Sequence, residues 1–213
     1  NIGGIANLTF LPSTGPVTGF DTGPGNMLLD AWTRKQWNED CDRDGHRASG
    51  GGVDPALLEA FLREPYFAMR PPKSTGRDTF DLAWVQSHLS RPAFGSVKPH
   101  DVLATLSELT AQSVADALRL HCAPAHELYV CGGGVHNRDL MGRIAARLKE
   151  CKVESTASIG IDPDWVEAIA FAWLARRALR GETANLPEVT GASGPRILGA
   201  IYPSATRQGK SNF

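Results

Sequence analysis

The chain has 213 residues, 42% of them apolar, enough to bury a substantial core as one large domain or two small ones. Lysine and arginine number 22 against 23 aspartate and glutamate, so a formal net charge of -1 excludes a broad electrostatic footprint for nucleic acid or an anionic membrane. No apolar run approaches the roughly 20 residues of a membrane-spanning helix, and Cys41, Cys122, Cys131 and Cys151 form no CxxC pair while the six histidines make no metal-ligand spacing, so reduced thiols in a soluble cytoplasmic protein are expected.

Asn1 already lies inside an ordered-looking motif, Asn1-Ile2-Gly3-Gly4-Ile5-Ala6-Asn7, with Gly3-Gly4 as a tight turn, so a strand preceding Asn1 is expected. Ile5 to Leu11 and Val17 to Asp21 read as a hairpin joined by the turn formers Pro12 to Pro16. Thr22-Gly23-Pro24-Gly25 should break the second strand, and Asn26 should cap a helix running to about Trp37. Asp54-Pro55 supplies a cap and a first-turn proline for a helix carrying Leu57, Leu58, Phe61 and Leu62. The loop Pro71 to Arg77 leads into a short helix near Phe80 to Leu89, and Asp101 begins the longest apolar stripe, ending near Leu120.

From there strands and helices alternate. Glu127 to Cys131 is a short strand, Asn137 caps a helix through Leu148, Val153 to Ser155 is a second strand, and Pro163 opens a helix to about Arg180. A meander, a long helix and then alternating elements predict an α/β fold, a mixed five-stranded ribonuclease-H-like sheet with helices on both faces. It would span residues 1–203, leaving 204–213 as a poorly ordered tail.

Four places carry candidate chemistry. Asp21 stands at the end of a strand before a glycine-rich turn into a helix, where backbone N–H groups and the helix N-terminus favour an anion. Two readings stay open: a functional carboxylate, or a turn-capping residue whose glycines merely permit the turn. Gly3-Gly4 would lie at the same sheet edge as Asp21. Gly132, Gly133 and Gly134, between a strand and the Asn137 cap, could clear room for a nucleotide base or ribose, or simply form a tight turn. Their spacing is not GxGxxG, and the chain has no GxxxxGK[ST]. Glu167 sits in the first turn of an apolar helix, stabilised there by the macrodipole with or without a ligand. Lys73 to Arg77 make a cationic loop that could meet phosphate or remain solvated.

The blocks NIGGIANLTFLP, GFDTGPGNMLLDAW, PPKSTGRDTF, DVLATLSELTA, CGGGVHN, VEAIAFAWLA and VTGASGPRILGAIYP, in this order from Asn1 to Pro203, resemble the anhydro-N-acetylmuramic acid kinase family. That family belongs to the sugar kinases and actin-like ATPases, with two ribonuclease-H-like lobes around an ATP cleft. The resemblance implies an enzyme that uses ATP with Mg²⁺ and water to convert 1,6-anhydro-N-acetylmuramic acid to N-acetylmuramic acid 6-phosphate during peptidoglycan recycling. By the same carry-over Asp21 would be the base, Gly3 and Gly4 a phosphate-contacting turn, Gly132 to Gly134 with Asn137 the adenosine-contacting turn, and Glu167 a sugar-contacting carboxylate. This chain would be the C-terminal lobe of a homodimeric parent, inactive without its N-terminal lobe. Two other functions remain open: a nucleotide-binding module without turnover, and a kinase for a different sugar.

Overall fold

The computed structural model describes residues 1–202, so the tail expected at 204–213 lies outside the described residues. The hairpin forms as strands β1 (Ile5–Phe10) and β2 (Thr18–Pro24), paired antiparallel. β2 does not stop at Asp21. Thr22, Gly23 and Pro24 continue it, because Ala6 and Ile5 offer partners to Gly23 and Pro24 across one irregularity in register. The glycine in this stretch has a packing reason: the Phe67 ring lies 2.8 Å from where a Cβ on Gly23 would sit, and its φ of +152° suits no other residue.

Helix α1 (Asn26–Trp37) has the expected bounds but not the expected cap. Gly25 takes the capping position, and the Asn26 amide donates instead to the Ile2 carbonyl at 3.2 Å. Helix α2 (Pro55–Leu62) starts as its sequence dictates, with the Asp54 carboxylate accepting from the Leu57 N–H at 2.9 Å. A single turn at Pro65–Ala68 and helix α3 (Leu82–Leu89), capped by Asp81, follow.

The 23-residue helix α4 (Pro99–His121) begins two residues earlier than its apolar stripe, because Pro99 suits the first turn. It joins two clusters of core residues. Val102, Leu103, Leu106 and Leu109 in its first half pack with Leu28, Trp32, Leu57, Phe61 and Val85 of the surrounding helices and with Phe80, just ahead of α3. Ala111, Val114, Ala115 and Leu118 in its second half pack with Ile2, Leu8 and Phe20 of the hairpin region and with Val130, Leu140 and Ile144.

Strands β3 (Glu127–Val130) and β4 (Lys152–Ser155) pair in parallel, joined by helix α5 (Arg138–Arg147). α5 is stapled to α4 by Arg143, which lies 2.7 Å from both Glu108 and Asp139, all three side chains largely buried. Helix α6 (Val166–Leu179) closes the alternating series and buries none of its residues. Among the described residues the strands form two two-stranded sheets, a mixed α/β arrangement; the single five-stranded sheet expected from sequence is not assembled from them. No helix among them is long and apolar enough to cross a membrane.

Candidate active site

The register irregularity in the hairpin falls beside Asp21. Ala6 faces Gly23 and Asn7 faces Asp21, leaving Thr22 as the extra residue of a bulge. Bulges bend a strand and re-aim the neighbouring side chain. This one is pinned from behind by the Thr22 hydroxyl, which donates to the Ala6 carbonyl at 3.2 Å, and by the Thr110 hydroxyl of α4, which donates to the Pro24 carbonyl at 2.9 Å.

Three contacts from one distant segment then close on Asp21. Its N–H donates to the Lys73 carbonyl at 3.1 Å, its carbonyl accepts from the Tyr66 hydroxyl at 2.7 Å, and its Oδ2 accepts from the Thr75 N–H at 3.0 Å. Tyr66 is buried, and that burial, reinforced by the negative charge of Asp21, pushes its phenol well above the usual range, so it stays a donor. Lys73 does not reach out as the sequence suggested. Its ammonium donates to the Tyr66 carbonyl at 3.2 Å and lies 4.6 Å from the Tyr66 ring centre, and burial lowers its pKa.

The segment from Asn1 to Gly4 connects the other candidate residues. The Gly3 carbonyl accepts from Asn26 N–H at 2.8 Å, and the Gly4 carbonyl accepts from Gly25 and Met27 N–H at 2.9 and 3.1 Å. The Gly25, Asn26 and Met27 N–H groups at the start of α1 are thus occupied by this turn, so these three are not free for the anion expected beside Asp21. Gly25 must be glycine here, since a Cβ would lie 2.5 Å from the Gly3 carbonyl oxygen. Gly3 and Gly4 differ. A Cβ on either would meet nothing nearer than 3.8 Å, an ordinary van der Waals contact, so the chain's own packing does not demand their bareness.

The third turn divides in the same way. Gly132 has φ of +81°, and a Cβ on Gly132 or Gly134 would collide with Asn1 or Ile2, so both are explained by packing. Ile2 N–H donates to the Cys131 carbonyl and Gly134 N–H to the Ile2 carbonyl, each at 2.8 Å. Gly133 alone has room, its nearest neighbour being the Asn26 amide at 3.7 Å. It lines a cavity of about 420 Å³ with Asn26, Leu29, Asp30, Asp42, His136 and Asn137. The Asn137 Oδ1 is committed to its helix, accepting from Leu140 N–H at 2.9 Å. Asp30 is half-buried on this cavity. Burial lifts its pKa from 3.8 to about 6 against the pull of Arg34, with Asp40 adding to the rise.

Glu167 is exposed, and its Oε1 accepts from the Asn1 amide at 2.7 Å, which ties the start of α6 to the Asn1–Gly4 segment. His136 and Asp164, 2.8 Å apart, make a second exposed tie, and Gly132 N–H donates to the Pro163 carbonyl. Gly3, Gly4, Gly132 to Gly134 and Glu167 are therefore brought together, and Asp21 stands on the next stretch of the same hairpin without a hydrogen bond to any of them. The sequence singles out neither Tyr66 nor Asp30, and it offers Thr75 only as part of the Lys73 to Arg77 loop, toward phosphate and not toward Asp21. Contacts spanning 45 and 54 residues leave no local signal for the engagement of Asp21 by Tyr66 and Thr75.

The family profile described as anhydro-N-acetylmuramic acid kinase matches residues 1–204. The chain belongs to the anhydro-N-acetylmuramic acid kinase family. A protein of that name from Thiobacillus denitrificans is 56% identical over 205 residues, covering 96% of this chain and 55% of the relative. Namesakes from Pseudomonas syringae pv. tomato and Xanthomonas campestris pv. campestris are 53% and 54% identical over 204 residues, covering 96% of this chain and 56% and 53% of their own lengths. The chain thus spans about half the length of the curated relatives it matches. All the candidate residues lie within the stretch matched to the anhydro-N-acetylmuramic acid kinase family, from Gly3 to Glu167.

Proposed function

We propose that this chain is the C-terminal lobe of a homodimeric, cytoplasmic kinase that converts 1,6-anhydro-N-acetylmuramic acid, water and ATP to N-acetylmuramic acid 6-phosphate and ADP. The family match over residues 1–204 carries the reading. Asp21 takes a proton from water as the water oxygen bonds to the anomeric carbon. The bond from that carbon to the 6-oxygen breaks, and the 6-oxygen bonds to the γ-phosphorus as ADP leaves. An ionised aspartate is a weak base, and positioning offsets that weakness. Mg²⁺, expected to accompany the nucleotide, would supply neutralisation of phosphate charge; among the described residues no cluster of His, Cys, Asp or Glu stands ready to hold it, as fits an ion bound chiefly through substrate phosphates.

Gly3 and Gly4, whose lack of a side chain the chain's own packing does not require, are assigned to phosphate. The room beside Gly133, on its cavity, supports the assignment of Gly132 to Gly134 and Asn137 to adenosine. Glu167, exposed next to Asn1, is assigned to the sugar.

The finer fold is part of the same proposal. A ribonuclease-H-like sheet of five strands needs one strand between β1 and β3, leading into Asn1. Ile2 already bridges to Ala6 on one side and donates to Cys131 on the other. A cleft of about 740 Å³ continues that line between Leu8 to Phe10 of β1 and Glu127 and Leu128 of β3, floored by Leu118 and Cys122.

The test is Asp21→Asn in the full-length kinase. ATP binding measured by calorimetry is expected to be unchanged while turnover of the anhydro-sugar falls by a factor on the order of 10³. Turnover near that of the unmodified enzyme would remove Asp21 from the role of base.

A further inference from the structure

An aspartate can act as a base only if one carboxylate oxygen faces the water and the other does not compete for it. In this fold the orientation of Asp21 is set twice. The Thr22 bulge turns the side chain, and the segment from Tyr66 to Thr75 then engages the residue's N–H, carbonyl and Oδ2. Among the described residues no hydrogen bond reaches Oδ1.

We propose that Tyr66 and the Lys73–Thr75 loop are positioning residues for Asp21, holding Oδ2 and the backbone so that Oδ1 is the oxygen that accepts the proton. The inference rests on Asp21 being the base. It assigns to the Pro71 to Arg77 loop a role different from phosphate contact: its backbone orients a carboxylate, and its lysine faces inward.

The device is anchored where it can bear on Asp21. Tyr66 packs edge-on to the fully buried Phe80, with ring centres 5.7 Å apart, so its hydroxyl has little freedom to swing away. The Lys73 ammonium lies over the Tyr66 ring while its carbonyl receives the Asp21 N–H, so one loop residue fixes both Tyr66 and Asp21. Misplacing a reacting group by about 1 Å costs on the order of 100-fold in rate, far more than one hydrogen bond adds to stability.

Among the described residues the buried Thr75 hydroxyl has no partner, so the N–H is the group by which Thr75 bears on Asp21. Thr75→Pro removes the N–H itself. In the full-length kinase Tyr66→Phe is expected to lose about tenfold in turnover and Thr75→Pro about 100-fold, with KM for sugar and nucleotide changed less than twofold. In an Asp21→Asn background Tyr66→Phe should lower the residual rate by less than twofold, because a group acting through Asp21 has nothing left to orient.

Should Thr75→Pro fail to fold, Tyr66→Phe, which removes a single hydroxyl, carries the test alone. Normal kcat in Tyr66→Phe alongside a crippled Asp21→Asn enzyme would overturn the positioning role and leave the base reading intact. So would a loss confined to KM, or a Tyr66→Phe loss that multiplies with Asp21→Asn. Near-normal turnover of Asp21→Asn itself would remove both.

Discussion

Asp30 stands half-buried on α1 beside the Gly133 cavity with its pKa lifted from 3.8 to about 6. Burial disfavours the charged form, so the folded chain holds this proton more tightly than the unfolded chain does. Stability therefore falls as the pH rises from about 4 to about 6, and above that window a constant penalty remains. Asp30→Asn removes the charge at similar shape. It is expected to raise stability by about 1 kcal/mol at pH 7.5, after allowing for solvent screening of a group only half-buried, and to change it little at pH 4. Urea unfolding of both proteins at the two pH values checks this; an equal shift at both would mean that burial does not govern Asp30. The carboxylates at residues 21 and 30 illustrate what sequence can give at this scale. Asp21 was visible because it precedes a glycine turn. Asp30 lies inside an amphipathic helix pattern, where a carboxylate reads as a solvated face, and only the tertiary fold sets it on a cavity shared with Cys41 to Asp44, Gly133 and His136.

Elements with a local cause were legible: Asp54-Pro55 and Asn137 start α2 and α5 at the places their side chains dictate. Those with a distant cause were not. β2 runs on through Thr22-Gly23-Pro24 because Ile5 and Ala6 pair with it, and Gly25 replaces Asn26 as the cap of α1 because Gly3 and Gly4 supply the missing acceptors. Asn137 carries a structural role beside its proposed adenosine contact, and the two can be separated. Asn137→Ala leaves the Leu140 N–H without its partner and is expected to cost about 1 kcal/mol, whereas Asn137→Ser retains a capping oxygen and should recover most of that. Denaturation midpoints measured without nucleotide report the cap alone. Equal losses in the two variants would show that the amide is not acting as a cap.

At the scale of the whole chain, α6 is the element that fits least well with the described residues taken alone. An isolated amphipathic helix hides one apolar stripe, yet α6 buries nothing, leaving Phe171 and Leu179 70% and 74% exposed, with Trp165, Ile169 and Trp173 also open. Apolar surface collected in this way marks an interface. The relatives carry nearly as much chain again outside the matched stretch, and α6 is fixed at its start to Asn1 by Glu167, next to the proposed site. Under the proposal that this chain is one lobe of a longer kinase, the surface is expected to be covered by the other part of that kinase. On that basis the 213-residue chain alone should bind an apolar fluorescent dye and self-associate, and Phe171→Ser with Trp173→Ser should suppress both. In the full-length kinase the same pair should instead destabilise, by about 3 kcal/mol or more, since each aromatic would leave a buried site. Thermal melts decide between the two: a full-length variant as stable as its parent would mean that the rest of the polypeptide does not cover α6.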